Sequence, residues 1–297
     1  MSRTASPSGN KPYGVARVAR VWAIPRSTVY AARLRAASPV IVAKRGPKTA
    51  FTDADLTERI RVLIGESPFF GEGHRKIWAR LRHADVRTSR QRVLRLMREA
   101  GLLAPSRRPA VINSHPHEGT ILSAEPDILW GTDATATVTL VDGQVTVFAA
   151  IDHCTAECVG IHAVKRATRF EALEPIRQGM RERFGGFRSG VAAGLRLRHD
   201  HGSQYMSDDF RNELRFLGVE SSPAFVRQPE GNGCIERFFR TLKEQLLWIR
   251  HFDNLDQLQI ALRHFRDNYN QHWVMERLRF LTPSQARQHF LALRDAA

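Results

Sequence analysis

Residues 128–152, ILWGTDATATVTLVDGQVTVFAAID, alternate apolar and polar positions on either side of Asp142-Gly143. Alternation of period two sends successive side chains to opposite faces of a strand, and an Asp-Gly pair supplies the tight turn that joins two such strands antiparallel. ECVGIHAV (157–164) continues the pattern and predicts a third strand, so the three form a meander. Further along, Thr168 with Glu171 predicts a capped helix reaching Phe184, and GLRLRHD (194–200) a fourth strand. Ser207 opens a helix through Leu217, and VESSPA (219–224) reads as a short fifth strand.

Three strands, a helix, a strand, a helix, a strand and a helix is the wiring of a ribonuclease H-like fold. The expected class is therefore α/β, a mixed five-stranded sheet with helices, preceded by small all-α helix-turn-helix units. Such a fold would gather three acids. Asp133 lies within the first strand, Asp200 ends the fourth, and Glu236 stands in the first turns of a helix headed by Asn232, with 35 residues between the last two acids. Phosphodiester cleavage needs one cation to activate the attacking oxygen and another to neutralise the leaving one, and hard divalent ions prefer oxygen ligands. Three like charges repel and raise at least one pKa, so the cluster is costly unless function retains it. Along the last helix a 100° step puts Glu236, Arg240 and Lys243 on one face, with Ile235, Phe239, Leu242 and Leu246 forming an apolar stripe beside it. Arg240 and Lys243, with Arg237, would hold DNA phosphate beside the acids. The competing reading is a plain i, i+4 salt bridge from Glu236 to Arg240. His199 and His201 flank Asp200 and, as strand neighbours, should point away from it.

The 297-residue chain carries a formal charge of +15, and residues 1 to 120 hold 23 Lys/Arg against 8 Asp/Glu while residues 121 to 297 hold 22 against 22. The whole excess sits in the first part, as a polyanion-binding module would have it. There, residues 1–36 (GVARVARVWAIPRSTVYAARLRAA from Gly14) break at Ile24-Pro25 and read as two short helices, a possible helix-turn-helix with Arg26, Ser27, Thr28 and Arg33 on the second, or simply a basic hairpin. A linker covers 37–50. Residues 51–104 give a second helix-turn-helix-like unit: a helix from the Thr52–Asp55 capping box to Ile64, one from Gly73 to Arg82, and one capped by Thr88 or Ser89, running through Arg98 and ended by Gly101. In the third, Val93, Leu96 and Met97 form the stripe, and Arg90, Arg92, Arg95 and Arg98 lie around it as expected phosphate contacts. A second linker spans 105–122, the catalytic core 123–247, and a helical extension 248–297, with helices at Leu255–Tyr269 and from a Thr282–Gln285 capping box to Leu293.

Cys154, Cys158 and Cys234 are too few for a secreted disulfide framework, and no four ligands at zinc spacing accompany them, so reduced thiols are expected. Neither an apolar run of membrane-spanning length nor a signal-peptide stretch is present, which places the expected site of action in the cytoplasm, at the nucleoid.

GTDAT (131–135), RHDHGSQYMSDDF (198–210) and SSPAFVRQPEGNGCIERFFRTLKEQL (221–246) together resemble the catalytic core of bacterial insertion-sequence transposases of the second-reading-frame (OrfB) type, relatives of the retroviral integrases. GEGHRKIWARL (71–81) with SRQRVLRLMREAGLLAP (89–105) resembles the helix-turn-helix unit that precedes that core, and YNQHWVMERLRFLTPSQA (269–286) its usual ending. The resemblance implies that Asp133, Asp200 and Glu236 take the family's DDE roles and hold two Mg²⁺ or Mn²⁺ ions. It implies that water frees a 3′-hydroxyl at the element's end and that this hydroxyl attacks target DNA in line. Implied partners are double-stranded DNA at element ends and target, further copies of the chain, and an upstream OrfA-type product. EGNGCIE (230–236) departs from many relatives, which carry an acidic residue beside the Asn, and no His/Cys zinc module like that of retroviral integrases is present. A nuclease without strand transfer, or a non-catalytic DNA-binding remnant, would share much of this pattern.

Overall fold

The structure is a computed structural model that describes residues 3–37, 50–105, 123–223 and 232–296. The linkers expected at 37–50 and 105–122 fall almost wholly outside the described residues, as does AFVRQPEG (224–231). The chain divides into two compact units, Met1–Ala50 and Phe51–Ala297. In the first, α1 (Gly14–Val21) and α2 (Arg26–Ala37) flank the Ile24-Pro25 break, where a proline just ahead of α2 lacks no N–H that the helix needs. Ala19 is buried, while Trp22, Tyr30 and Leu34 are exposed.

The second unit begins with α3 (Asp53–Gly65), α4 (His74–His83) and α5 (Arg90–Glu99). Thr52 and Asp55 cap α3 reciprocally, and the Ser89 hydroxyl accepts from the Arg92 amide at the head of α5. Leu56, Ile60, Ile77, Leu81, Val93 and Met97 close a small core among the three helices. Trp78 stitches the turn between α4 and α5 by donating its indole N–H to the Thr88 carbonyl at 2.8 Å.

β1 (Leu129–Thr139), β2 (Gly143–Asp152), β3 (Cys158–Val164), β4 (Arg196–His199) and β5 (Glu220–Pro223) form one sheet in the order β3-β2-β1-β4-β5. The first three strands are antiparallel, and β4 and β5 run parallel to β1. This is the ribonuclease H-like arrangement. Parallel β4 and β5 require crossovers, which α6 (Arg169–Arg183), the four-residue α7 (Ser203–Met206) and α8 (Asp208–Leu217) supply. α6 and α8 bury Trp130, Phe148, Ala150 and Leu197 on one face of the sheet. α9 (Gly233–Leu242) and α10 (Leu255–His272) cover the other, over Val147, Ala149, Ile151 and Ile161.

Two features differ from expectation. α9 passes into a π-helical turn at Lys243–Leu247, so the 100° periodicity fails just where the helix was expected to continue. α10, expected beyond the catalytic core, is a wall of it: Leu258, Leu262, Phe265 and Tyr269 share a core with Phe238 and Leu242 of α9. α11 (Pro283–Asp295) opens on the Thr282–Gln285 capping box, and its Arg287 pairs with Asp127 and lies 3.6 Å from Glu157. The helical domain docks on the same body, with the Phe70 backbone bonded in both directions to the Gln245 side chain at 2.8 and 3.1 Å. Phe69 stands edge-on to Trp273 at 4.7 Å.

Candidate active site

β1 and β4 are parallel with Gly131 paired to Arg198. Two residues on, Asp133 and Asp200 come level and on the same face, because side chains repeat every second residue and neighbouring strands lie about 4.8 Å apart. Asp133 is half-buried on the central strand pair, opposite Ala149; Asp200 stands just past the end of β4, exposed, with the Gly202 amide donating to its Oδ1 at 2.8 Å. α9 crosses this face and presents Glu236, exposed, in its first turn. Burial pushes the Asp133 carboxyl up to about 6, with the charges of Asp200 and Glu236 adding to the shift. The Ala134 amide, 2.7 Å from Oδ1, and the Lys243 charge oppose it. Burial likewise raises Glu236, against the neighbouring Arg237. The three acids therefore share one electrostatic neighbourhood, although among the described residues no three His, Cys, Asp or Glu side chains close around a common point. Three hard oxygen donors, one of them raised toward neutrality by burial and, to a smaller degree, by the other two, are a donor set that a divalent cation would draw together.

Asn232 ties α9 to β1. It heads the helix as its sequence position suggests, but makes no side-chain cap; its amide instead donates to the Thr132 carbonyl at 3.3 Å, one residue before Asp133. Gly131 permits the approach: a Cβ there would lie 2.8 Å from Asn232 Oδ1 and 2.5 Å from His153 Nε2. His199 faces the opposite side of the sheet from Asp200. It is buried, stacked on Tyr205 at 5.5 Å, with Nδ1 2.7 Å from the Asp200 carbonyl oxygen and Nε2 2.9 Å from the Ser221 hydroxyl. Burial lowers its pKa, so the neutral ring donates through one nitrogen and accepts through the other. His201 is exposed. Tyr205, unmarked in the sequence, packs with His199 and Phe210 on the α6–α8 face behind Asp200; burial, with the charges of Asp133 and Asp200, raises its phenol. Its place in HGSQY, after Asp200, was the available signal.

Among the expected DNA contacts, Arg240 is exposed and pairs with Glu244 at 2.9 Å, not with Glu236. Lys243 starts the π turn near enough for its charge to act on Asp133, and Arg237 is exposed beside Glu236. On α5 the expectation needs correcting. Arg92 and Arg95 each lie 2.6 Å from Asp53 and lock α5 to α3, lowering the Asp53 pKa; Arg95 also meets Glu99 at 2.9 Å. Arg90 lies over the Trp78 ring and 3.9 Å from Glu276. Arg98 is exposed and makes no ion pair with a described residue.

Comparison with known proteins bears on this geometry. An HTH-like domain matches residues 52–110, the span of α3 to α5, and an integrase core domain matches residues 217–283. The chain is 30% identical over 244 residues to the transposase InsD for insertion element IS2A/D/F/H/I/K of Escherichia coli, covering 80% of this chain and 78% of that protein. InsD for insertion element IS2-9 of Escherichia coli strain K12 matches at the same identity, over 77% of its length. The chain belongs to the insertion-element transposase family.

It is accordingly an enzyme of the DDE polynucleotidyl transferase class, acting on DNA in transposition. The integrase-core match runs through α10 and ends at Pro283, in keeping with α10 walling the core. Among solved structures, the simian T-cell lymphotropic virus intasome in complex with the PP2A regulatory subunit B56 gamma is similar over 73% of this chain and 70% of that one, at 16% identity and a TM-score of 0.47. The HTLV-2 integrase catalytic core domain in complex with magnesium is similar over 55% and 98%, at 19% identity and a TM-score of 0.41. No helix among the described residues is long and apolar enough to cross a membrane.

The raised Asp133 pKa predicts a pH dependence. A carboxyl whose folded pKa lies above its unfolded value contributes stability that is present at low pH and lost as pH rises from about 3.8 to about 6. In EDTA, the thermal midpoint of wild type should therefore fall relative to that of Asp133→Asn across this window, and Mg²⁺ should reverse the trend. Parallel midpoints for the two proteins would mean that Asp133 titrates like an ordinary surface carboxyl.

Proposed function

We propose that Asp133, Asp200 and Glu236 are the acids that hold divalent cations, two Mg²⁺ or Mn²⁺ in the active complex, for cleavage and joining of the element's ends. The observation that carries this is the β1–β4 register, which brings two aspartates level beneath a helix bearing the third acid. Bound cations supply the charge that activates the attacking oxygen and neutralises the leaving one. The chain's own residues set the geometry. Asp133 is fixed by the central strand, Asp200 by the Gly202 amide on one side and by the His199 bond to its carbonyl on the other, and Glu236 by the Asn232 tie. Arg240 and Lys243 bind the phosphates that flank the reacting one, and Arg90 and Arg98 serve DNA held by α5. Because Arg92 and Arg95 are committed to Asp53, they shape α5 more than they bind DNA.

Transposition must hold two element ends at once, so the working species is at least a dimer on duplex DNA, and an upstream OrfA-type product is a further partner. The test is joining of labelled duplex carrying the element's flanking ends, with Mg²⁺ or with EDTA. Joined products in Mg²⁺ alone are expected. Nicked products without joining would instead identify a nuclease, and binding without any cleavage a regulator.

A further inference from the structure

On the next flank of α9 from Glu236 lies a cleft of about 410 Å³ that shares only Arg240 with the catalytic proposal. Three parts of the chain wall it: Arg237, Arg240 and Glu244 from α9 and its π turn, Lys76 from α4, and Glu276 and Arg277 from the short 3₁₀ segment Glu276–Leu278. Both carboxylates are already engaged. Glu244 pairs with Arg240 at 2.9 Å, and Glu276 lies 2.8 Å from Arg75 and 3.9 Å from Arg90. Two of the cations meet no carboxylate among the described residues. Arg277 is aimed by neutral acceptors, the His153 carbonyl and the Cys234 sulfur, each at 3.4 Å. Arg237 is exposed and makes no ion pair with a described residue, and Lys76 Nζ is held over the Trp273 ring at 2.8 Å from its centre. A half-enclosed cleft in which Arg237 and Arg277 meet no carboxylate, while Glu244 and Glu276 are already engaged, is built for an anion. Arg237, on its α9 wall, directly follows Glu236.

We propose that this cleft is a phosphodiester subsite for the DNA strand that leaves the reacting phosphate, clamped between α9, the 276–278 segment and the helix-turn-helix-like domain. A strand seated here touches both domains of the unit, so the helices that hold the element also position its end. The proposal rests on the DNA-joining function above but makes a separate demand: Arg277 and Arg237 must each neutralise a phosphate. Each neutralised phosphate contributes about −0.9 to the slope of log K against log salt for duplex DNA.

The experiment is fluorescence anisotropy of a labelled duplex over a salt series, with wild type, Arg237→Gln, Arg277→Gln and, as control, Arg294→Gln, whose residue lies exposed near the end of α11. The slope should become shallower by about 0.9 in each of the first two variants and stay unchanged in the control. Wild-type slopes in Arg237→Gln and Arg277→Gln would overturn the subsite, and Mg²⁺-dependent joining by the same wild-type preparation would show that the catalytic proposal survives. Should Arg277→Gln lower the thermal midpoint through its His153 and Cys234 contacts, Arg237→Gln decides alone, since Arg237 is exposed. No duplex binding by wild type would sink both proposals together.

Discussion

Glu236→Gln should slow cleavage and joining by at least about a thousandfold, a loss of about 4 kcal/mol of transition-state stabilisation. Glutamine keeps the shape and one oxygen of the glutamate but not its charge, and the charge is what a divalent cation needs. The substitution should spare the fold. Glu236 is exposed and makes no ion pair with a described residue, and the helix around it is held by Cys234, Ile235, Phe238 and Phe239, all buried. Duplex affinity should change by less than about threefold, or about 0.65 kcal/mol, because removing a negative charge beside DNA does not weaken phosphate binding. A second readout is electrostatic. Since Glu236 helps to raise Asp133, the variant should bring the Asp133 carboxyl back toward the ordinary range. Single-turnover joining in Mg²⁺, anisotropy and carboxyl NMR titration measure the three effects. Joining within tenfold of wild type would remove Glu236 from the catalytic set, and equal loss of binding would make it structural.

How much of this was legible depended on distance along the chain. The Thr52–Asp55 and Thr282–Gln285 capping boxes, the Asp142-Gly143 hairpin and the α9 stripe are signals within a few residues, and each stands in the structure where the pattern put it. The strand order carried the two aspartates to one face, because period-two alternation and a parallel register leave little freedom. What stayed hidden was long-range. Arg92 and Arg95 looked free for DNA because their own helix offers only Glu99, while their partner Asp53 lies 39 and 42 residues away. α10 read as an appendage because nothing in its own pattern says which core its stripe meets. The Asn232 tie to Thr132 spans 100 residues and replaced the local cap that the sequence favoured. The π turn at Lys243–Leu247 has no local signature in KEQLL, which suits an ordinary helix.

The largest effect on stability should come from one methyl group on the far side of the sheet. A Cβ built on Gly160 of β3 would lie 2.0 Å from the Pro175 carbonyl oxygen and 2.6 Å from its Cα, both backbone atoms of α6. No side chain can rotate to make room, so Gly160→Ala must push α6 off the sheet. That opens the layer in which Leu173, Ile176 and Met180 are buried to 1% exposure or less. Pro175 adds rigidity where the clash falls, since its ring fixes φ and limits how the helix can yield. Overpacking of a close-packed core costs about 1–3 kcal/mol, and a clash against backbone atoms belongs at the upper end, about 3 kcal/mol. For a domain of this size that lowers the thermal midpoint by roughly 6–12 °C. Gly65→Ala, at the end of α3 with nothing within 4 Å of the added carbon, should leave the midpoint unchanged or slightly higher. The acids sit on the α9 face, so well below the new midpoint Gly160→Ala should still join ends at close to the wild-type rate. An unchanged midpoint would show that α6 shifts freely over β3, and a lost rate in folded protein would show that the two faces of the sheet are coupled.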